Sequence, residues 1–175
     1  ILLSRSDDGG QSWSAWWHVE LPETLGPPSL TSPLVLLGDG RLAMSIESNK
    51  AYEDSGIWHQ QAVLLLSADD GVTWQPPRIA ACDPTGRIFN WDLRVAAAPD
   101  GRLVSFAWTF DRQANVYRNI HRRVSADAGL SWSAPDDIGV ADQAARPAIL
   151  PDGRLVLAWV DRFGSRAVHA RISER

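Results

Sequence analysis

The chain has 175 residues, 45% of them hydrophobic, which suits one ordinary domain with a packed core. Its formal charge of −4, from 17 basic and 21 acidic residues, leaves no basic stripe to neutralise a phosphate backbone and so argues against nucleic acid as a partner. The single cysteine, Cys82, cannot form an internal disulfide and is read as a small buried hydrophobe, and no apolar run approaches the roughly 20 residues of a membrane-spanning helix.

The first element is a short apolar stub at 1–3 that opens without an initiator Met, from which a preceding part of the natural protein is expected. It runs into an eight-residue pattern, Ser-x-Asp-x-Gly-x-(Ser/Thr)-Trp, made by Ser6, Asp8, Gly10 and Trp13. The pattern returns with Ser67, Asp69, Gly71 and Trp74, and again with Ser125, Asp127, Gly129 and Trp132, its starts 61 and 58 residues apart. That spacing fits one four-stranded blade with its loops. A second motif keeps step: Asp39-Gly40-Arg41, Asp100-Gly101-Arg102 and Asp152-Gly153-Arg154 each separate two apolar runs, as a tight hairpin does.

The runs read as strands at 33–37, 42–46, 62–66, 103–108, 148–150 and 155–160, without helical periodicity. Each unit is then strand A, an Asp-Gly-Arg turn, strand B, a longer loop, strand C, the Ser-to-Trp turn and strand D. Repeats are expected at about 1–21 (partial), 30–80, 91–139 and 145–175 (partial), all within one domain. The predicted fold class is all-β, a propeller of four-stranded antiparallel blades of which about three are present. An open arc leaves strand edges unpaired, so the remaining blades are expected from missing sequence or from a second copy of the chain.

In such a meander the short repeated turns share one rim, leaving the irregular segments 47–58, 80–94, 110–116, 139–146 and 161–165 to the other. Long loops on a rigid scaffold are where binding and catalysis are usually built. Within the repeated turn, Ser and Asp side chains bond backbone N–H groups and Gly supplies the permissive backbone. Asp8, Asp69 and Asp127 are therefore read as structural. The second rim offers the carboxylates Asp92, Glu47, Asp111 and Asp161 as catalytic candidates, since acid–base catalysis by carboxyl groups needs one protonated and one ionised. Arg94 and Arg146, at the starts of inner strands, suit a carboxylate ligand through paired charge-assisted bonds. Of the nine Trp, Trp58 and Trp91 border second-rim loops and are candidates to stack on a bound ligand, whereas Trp108 and Trp159 are read as sharing one core position of strand B. His121 is a weaker candidate for the pocket wall. No His pair has metal-ligand spacing, so neither a metal nor another cofactor is expected.

Asp-boxes closing strand C, with Asp-Gly-Arg hairpins about half a blade earlier, resemble the bacterial neuraminidase repeat of the sialidase superfamily. The resemblance covers nearly the whole chain and implies half of a six-bladed propeller. It further implies an exo-glycosidase acting on a glycan, with arginines from several blades gripping an acidic sugar, a tyrosine nucleophile assisted by a glutamate, and an aspartate acid/base. Asp-boxes also occur in propellers that are not sialidases, so the alternative is a non-catalytic glycan- or protein-binding propeller. By resemblance alone the compartment would be extracellular or periplasmic. Neither Tyr52 nor Tyr117 matches the nucleophile position and no Tyr follows, so that group is expected from blades outside this chain.

Overall fold

In the computed structural model residues 1–174 are described; Arg175, last in the fourth expected repeat, lies outside them. Strands β1 (Leu2–Leu3) and β2 (Trp17–His18) pair across the first Asp-box. In the second sheet β3 (Pro28–Ser29) and β4 (Val35–Leu36) both pair with β5 (Leu42–Ser48), followed by β6 (Gln61–Ser67) and β7 (Arg78–Cys82). Here strand A is one inner strand interrupted at 30–34, where Pro33 has no N–H to give the ladder. The third sheet runs β8 (Ile88–Ala97), β9 (Leu103–Asp111), β11 (Asn119–Ser125) and β12 (Asp136–Ala141), with β10 (Val116–Tyr117) also paired to β9. In the fourth, β13 (Gln143–Ala144) and β14 (Ala148–Ile149) pair with β15 (Leu155–Val160), which pairs with β16 (Val168–Ile172). All pairings are antiparallel, giving two full blades between two partial ones.

Two expected connections prove to be largely strand. Within 80–94, β7 continues to Cys82 and β8 begins at Ile88, because Ile88, Phe89, Asn90 and Trp91 find a full ladder opposite 108–111. Within 139–146, β12 reaches Ala141 and β13 follows at once. Asp92 and Arg94 therefore project from the middle of an inner strand rather than from a loop.

Sheets stack face to face, and the period of two decides which side chain fills which gap. On β6, Val63 and Leu65 join Met44, Ile46 and Val19 between the first and second sheets, while Leu64 and Leu66 join Leu93, Val95 and Leu103 between the second and third. Burial on both faces explains why β6 reads as an unbroken apolar run instead of an alternation. Phe106, Ile120, Val140 and Leu157 fill the gap between the third and fourth sheets.

Asp-boxes lock these layers together. In all three, the Ser Oγ accepts the Gly N–H four residues on, at 2.7, 2.8 and 2.8 Å. The Asp carboxylate accepts the hydroxyl and backbone N–H of Ser12, Thr73 or Ser131. Those bonds, hydroxyl first, hold Asp69 and Asp127 down to about 2 and Asp8 lower still. Each later box also abuts the preceding sheet: the Trp17 indole donates to the Gly71 carbonyl at 3.1 Å, and Arg78 Nη1 to the Ala128 carbonyl at 2.9 Å. Ladder ends Leu42↔Ser67 and Leu103↔Ser125 place the Asp-boxes on the rim of the Asp-Gly-Arg turns.

Gly129 is required there twice over: its φ is +84°, and a Cβ would lie 2.6 Å from Leu64 Cδ2. Gly101 has a similar φ of +86° with nothing within 4 Å. Gly129→Ala is expected to lower unfolding free energy by about 1–3 kcal/mol more than Gly101→Ala, measured in urea, because only the former adds overpacking to backbone strain.

Candidate active site

On β8 the ladder to β9 runs in register to Trp91↔Trp108, then resumes at Arg94↔Phe106, leaving a bulge at Asp92 and Leu93. Asp92 takes a left-handed φ of 51°, unusual for a non-glycine residue inside a strand. What holds the bulge comes from the neighbouring sheet. The Leu93 side chain is buried in the core, its N–H reaches Glu47 Oε1 at 3.4 Å, and its carbonyl accepts the Ser45 hydroxyl at 3.0 Å. One step upstream, the Gln60 amide clasps Asn90 in both directions, donating to its carbonyl at 2.7 Å and accepting its N–H at 2.8 Å. The Leu93 backbone groups at the bulge are thus satisfied by buried side chains of β5, and those of Asn90 by Gln60 just ahead of β6.

Asp92 is where three sheets meet. Its carboxylate lies 3.6 Å from the Arg94 guanidinium, both side chains 16% exposed, and accepts a hydrogen bond from the Gln143 amide on β13. Arg94 Nε donates to the Ala144 carbonyl at 3.3 Å, again on β13. On the other side stands Glu47, 5% exposed, whose Oε1 accepts the Thr31 hydroxyl at 2.9 Å. Burial, reinforced by the nearby charge of Asp92, pushes Glu47 above the usual carboxylate range against the pull of that hydrogen bond. Two carboxyl groups in contrasting surroundings, one buried and one ion-paired, are the arrangement from which acid and base roles are made.

Arg146 is exposed and lines a cleft of about 340 Å³ walled by Val35, Leu36, Ala96, Ala97 and Ala148 from the inner strands of three sheets. Arg94 and Arg146 each stand six residues ahead of the Asp of their hairpin, the same repeat position on adjacent blades. In the second sheet that position is Pro33. The two arginines thus share a repeat position on adjacent blades, Arg94 turned to Asp92 and the Ala144 carbonyl and Arg146 exposed at its cleft.

Other candidates are employed elsewhere. Asp111, 1% exposed, receives the Arg87 guanidinium at 2.7 Å and the N–H groups of Gln113 and Ala114, which hold it down to about 2. Asp161 likewise closes its own loop, accepting the N–H groups of Gly164 and Ser165 and the Ser165 hydroxyl, and is also held to about 2. Both carboxylates fix their own loops, and among the described residues neither is joined to the Asp92 cluster by a hydrogen bond or ion pair. His121, lowered by burial, lines a different cleft with Cys82, Asn90 and Arg123. Trp58 packs on Phe89 at 4.7 Å and Trp91 stacks on Phe110 at 5.1 Å, so both rings are engaged by other aromatics. Trp159 is one residue out of step with Trp108: Trp108 lies opposite Trp91, while Trp159 pairs with Ala144 and stacks on His169.

Gln143 and Thr31 did not emerge from the sequence. Gln143 sits one residue before the position that Asp92 occupies in the third blade, and Thr31 matches the Asp92 position in the second. Aligning the repeats on their Asp-Gly-Arg turns was the signal that would have found them. Among the described residues no His/Cys/Asp/Glu group is arranged to hold a metal ion, and no helix is long and apolar enough to cross a membrane.

Residues 1–168 match the family described as BNR repeat-like domain. A sialidase of Micromonospora viridifaciens is 28% identical over 196 aligned positions, covering 96% of this chain and 29% of the relative. Among solved structures, a Dyadobacter fermentans protein of unknown function superposes with a TM-score of 0.79 at 23% identity, over 97% of this chain and 46% of that one. The Hadza microbial sialidase Hz136 gives 0.66 at 21% identity, over 97% and 37%. The chain thus spans less than half the length of these relatives, and at such identities the solved structures establish the fold, a β-propeller. By its match over nearly the full length, the chain belongs to the BNR repeat-like family within the sialidase superfamily.

Proposed function

We propose that this protein is a sialidase-like exo-glycosidase that removes a terminal acidic sugar. The observation that carries the reading is Asp92 on its bulge, braced by side chains from the blades on either side. Left-handed backbone at a non-glycine residue costs of order 1–3 kcal/mol and persists where its surroundings over-determine it, as they do at working sites. In this reading Arg94 and Arg146 grip the sugar carboxylate from adjacent blades. Asp92, the more accessible carboxylate, takes up a proton from solvent and passes it to the leaving glycosidic oxygen. Glu47, buried behind it, keeps its own proton to higher pH and limits the negative charge at the centre. A sialidase as the curated relative agrees with an acidic sugar, and the tyrosine nucleophile of that chemistry would be supplied by other blades.

Asp92→Asn is expected to lower kcat at least about a hundredfold on a panel of fluorogenic glycosides of acidic and neutral sugars. Arg94→Lys is expected to raise KM about tenfold for the acidic members alone. Turnover of neutral sugars only would remove the arginine assignment. A folded full-length protein that turns over no member would favour the non-catalytic glycan-binding propeller instead.

The raised proton affinity of Glu47 also has a sign in stability. As pH rises past the usual glutamate value, the unfolded chain releases this proton while the folded chain retains it, so the contribution of Glu47 is full below that value and is lost as pH rises through the raised one. Glu47→Gln should flatten this decline in urea midpoint against pH. An unaltered slope would show that Glu47 titrates as an ordinary surface carboxylate.

A further inference from the structure

Beside the candidate site lies a set of stacked aromatic rings. Trp91, directly before Asp92, stacks on Phe110 and lies 6.0 Å from the Tyr117 ring. Tyr117 stacks on the buried Trp108 at 4.2 Å and 12°, and Phe163 of the fourth sheet continues the series at 5.8 Å and 21°. Unlike the inner members, Tyr117 is 44% exposed and Phe163 69%. Two guanidinium groups border the set, Arg162 at 5.5 Å over Trp108 and Arg112 at 6.0 Å over Phe89.

The exposure is not that of a loose loop. Asp161 ties down the turn behind Phe163 through Gly164 and Ser165, and the Arg162 N–H donates at 2.9 Å to Asp142, which is 4% exposed and precedes the Gln143 that holds Asp92. Rings kept open to solvent by such a brace, and joined through Asp142 and Gln143 to the candidate site, form a preorganised surface.

We infer that Tyr117 and Phe163 form a shelf for the sugar to which the terminal residue is linked, a pyranose that lays its C–H face on the rings while Arg112 and Arg162 donate to its hydroxyls. The inference rests on the proposed glycosidase reading and adds to it a preference for glycan chains over simple glycosides. Flat aromatic faces suit the apolar side of a sugar ring, and guanidinium donors at the margin suit its hydroxyls. An apolar protein partner would leave those arginines without acceptors.

The test uses the full-length protein carrying Asp92→Asn, so that ligands persist, and isothermal titration with sialyllactose, the methyl glycoside of the same acidic sugar, and lactose. Sialyllactose should bind about tenfold tighter than the methyl glycoside, and adding Tyr117→Ala with Phe163→Ala should bring that ratio close to one. Phe163→Ala alone, at a largely exposed position, gives a second reading with little demand on folding. A ratio of one in the Asp92→Asn parent, or one that survives the double replacement, would overturn the shelf. If neither acidic ligand binds, the acidic-sugar reading fails by itself. Lactose then decides the shelf, with binding abolished by the double replacement in its favour and no binding against it.

Discussion

The satisfaction of the Leu93 backbone by the neighbouring sheet is the constraint on which the rest turns. A bulge frees an N–H and a carbonyl from the ladder, and buried backbone groups cannot be left unpaired without a cost of order 1–3 kcal/mol each. Glu47 and Ser45 of β5 accept and donate in place of β9, so blade packing and site geometry become one problem. Were the second sheet displaced, the bulge would lose its partners and Asp92 its orientation. The Asp-boxes prevent such displacement from the opposite rim, each later one hydrogen-bonded to the sheet before it. Rigidity is thus supplied at one end of the blades and used near the other.

That division explains how much the sequence could disclose. Asp-boxes and Asp-Gly-Arg turns are local: each is a short run whose side chains bond their own backbone, so residue type and spacing suffice to find them, and with them the strand order and the blade count. Strand identity in the apolar run of β6 followed from its bounding turns rather than from alternation, because both of its faces are buried. The site is non-local. Glu47 and Asp92 are 45 positions apart and Gln143 a further 51, and only stacking of sheets brings them together.

Asp92 and Arg94 were legible as a carboxylate and an inner-strand arginine two positions apart, yet nothing in that segment announces a bulge, which depends on Glu47 accepting the Leu93 N–H and the Ser45 hydroxyl donating to the Leu93 carbonyl. Asp111 and Asp161 looked equivalent to Asp92 by type and by position near loops. They differ in that Arg87, Gly164 and Ser165 lie within bonding reach, a matter of loop conformation. Tyr117 and Phe163 went unremarked as a pair because they come from different blades.

The central claim is that the Asp92 bulge marks the sugar-binding centre, and a crystal structure of the full-length protein soaked with free N-acetylneuraminate tests it most directly. The account predicts density for the sugar on the axis, its carboxylate between the Arg94 and Arg146 guanidinium groups and its ring within hydrogen-bond reach of Asp92. A sugar seated on the Asp-box rim, or gripped by arginines that exclude this pair, would contradict it.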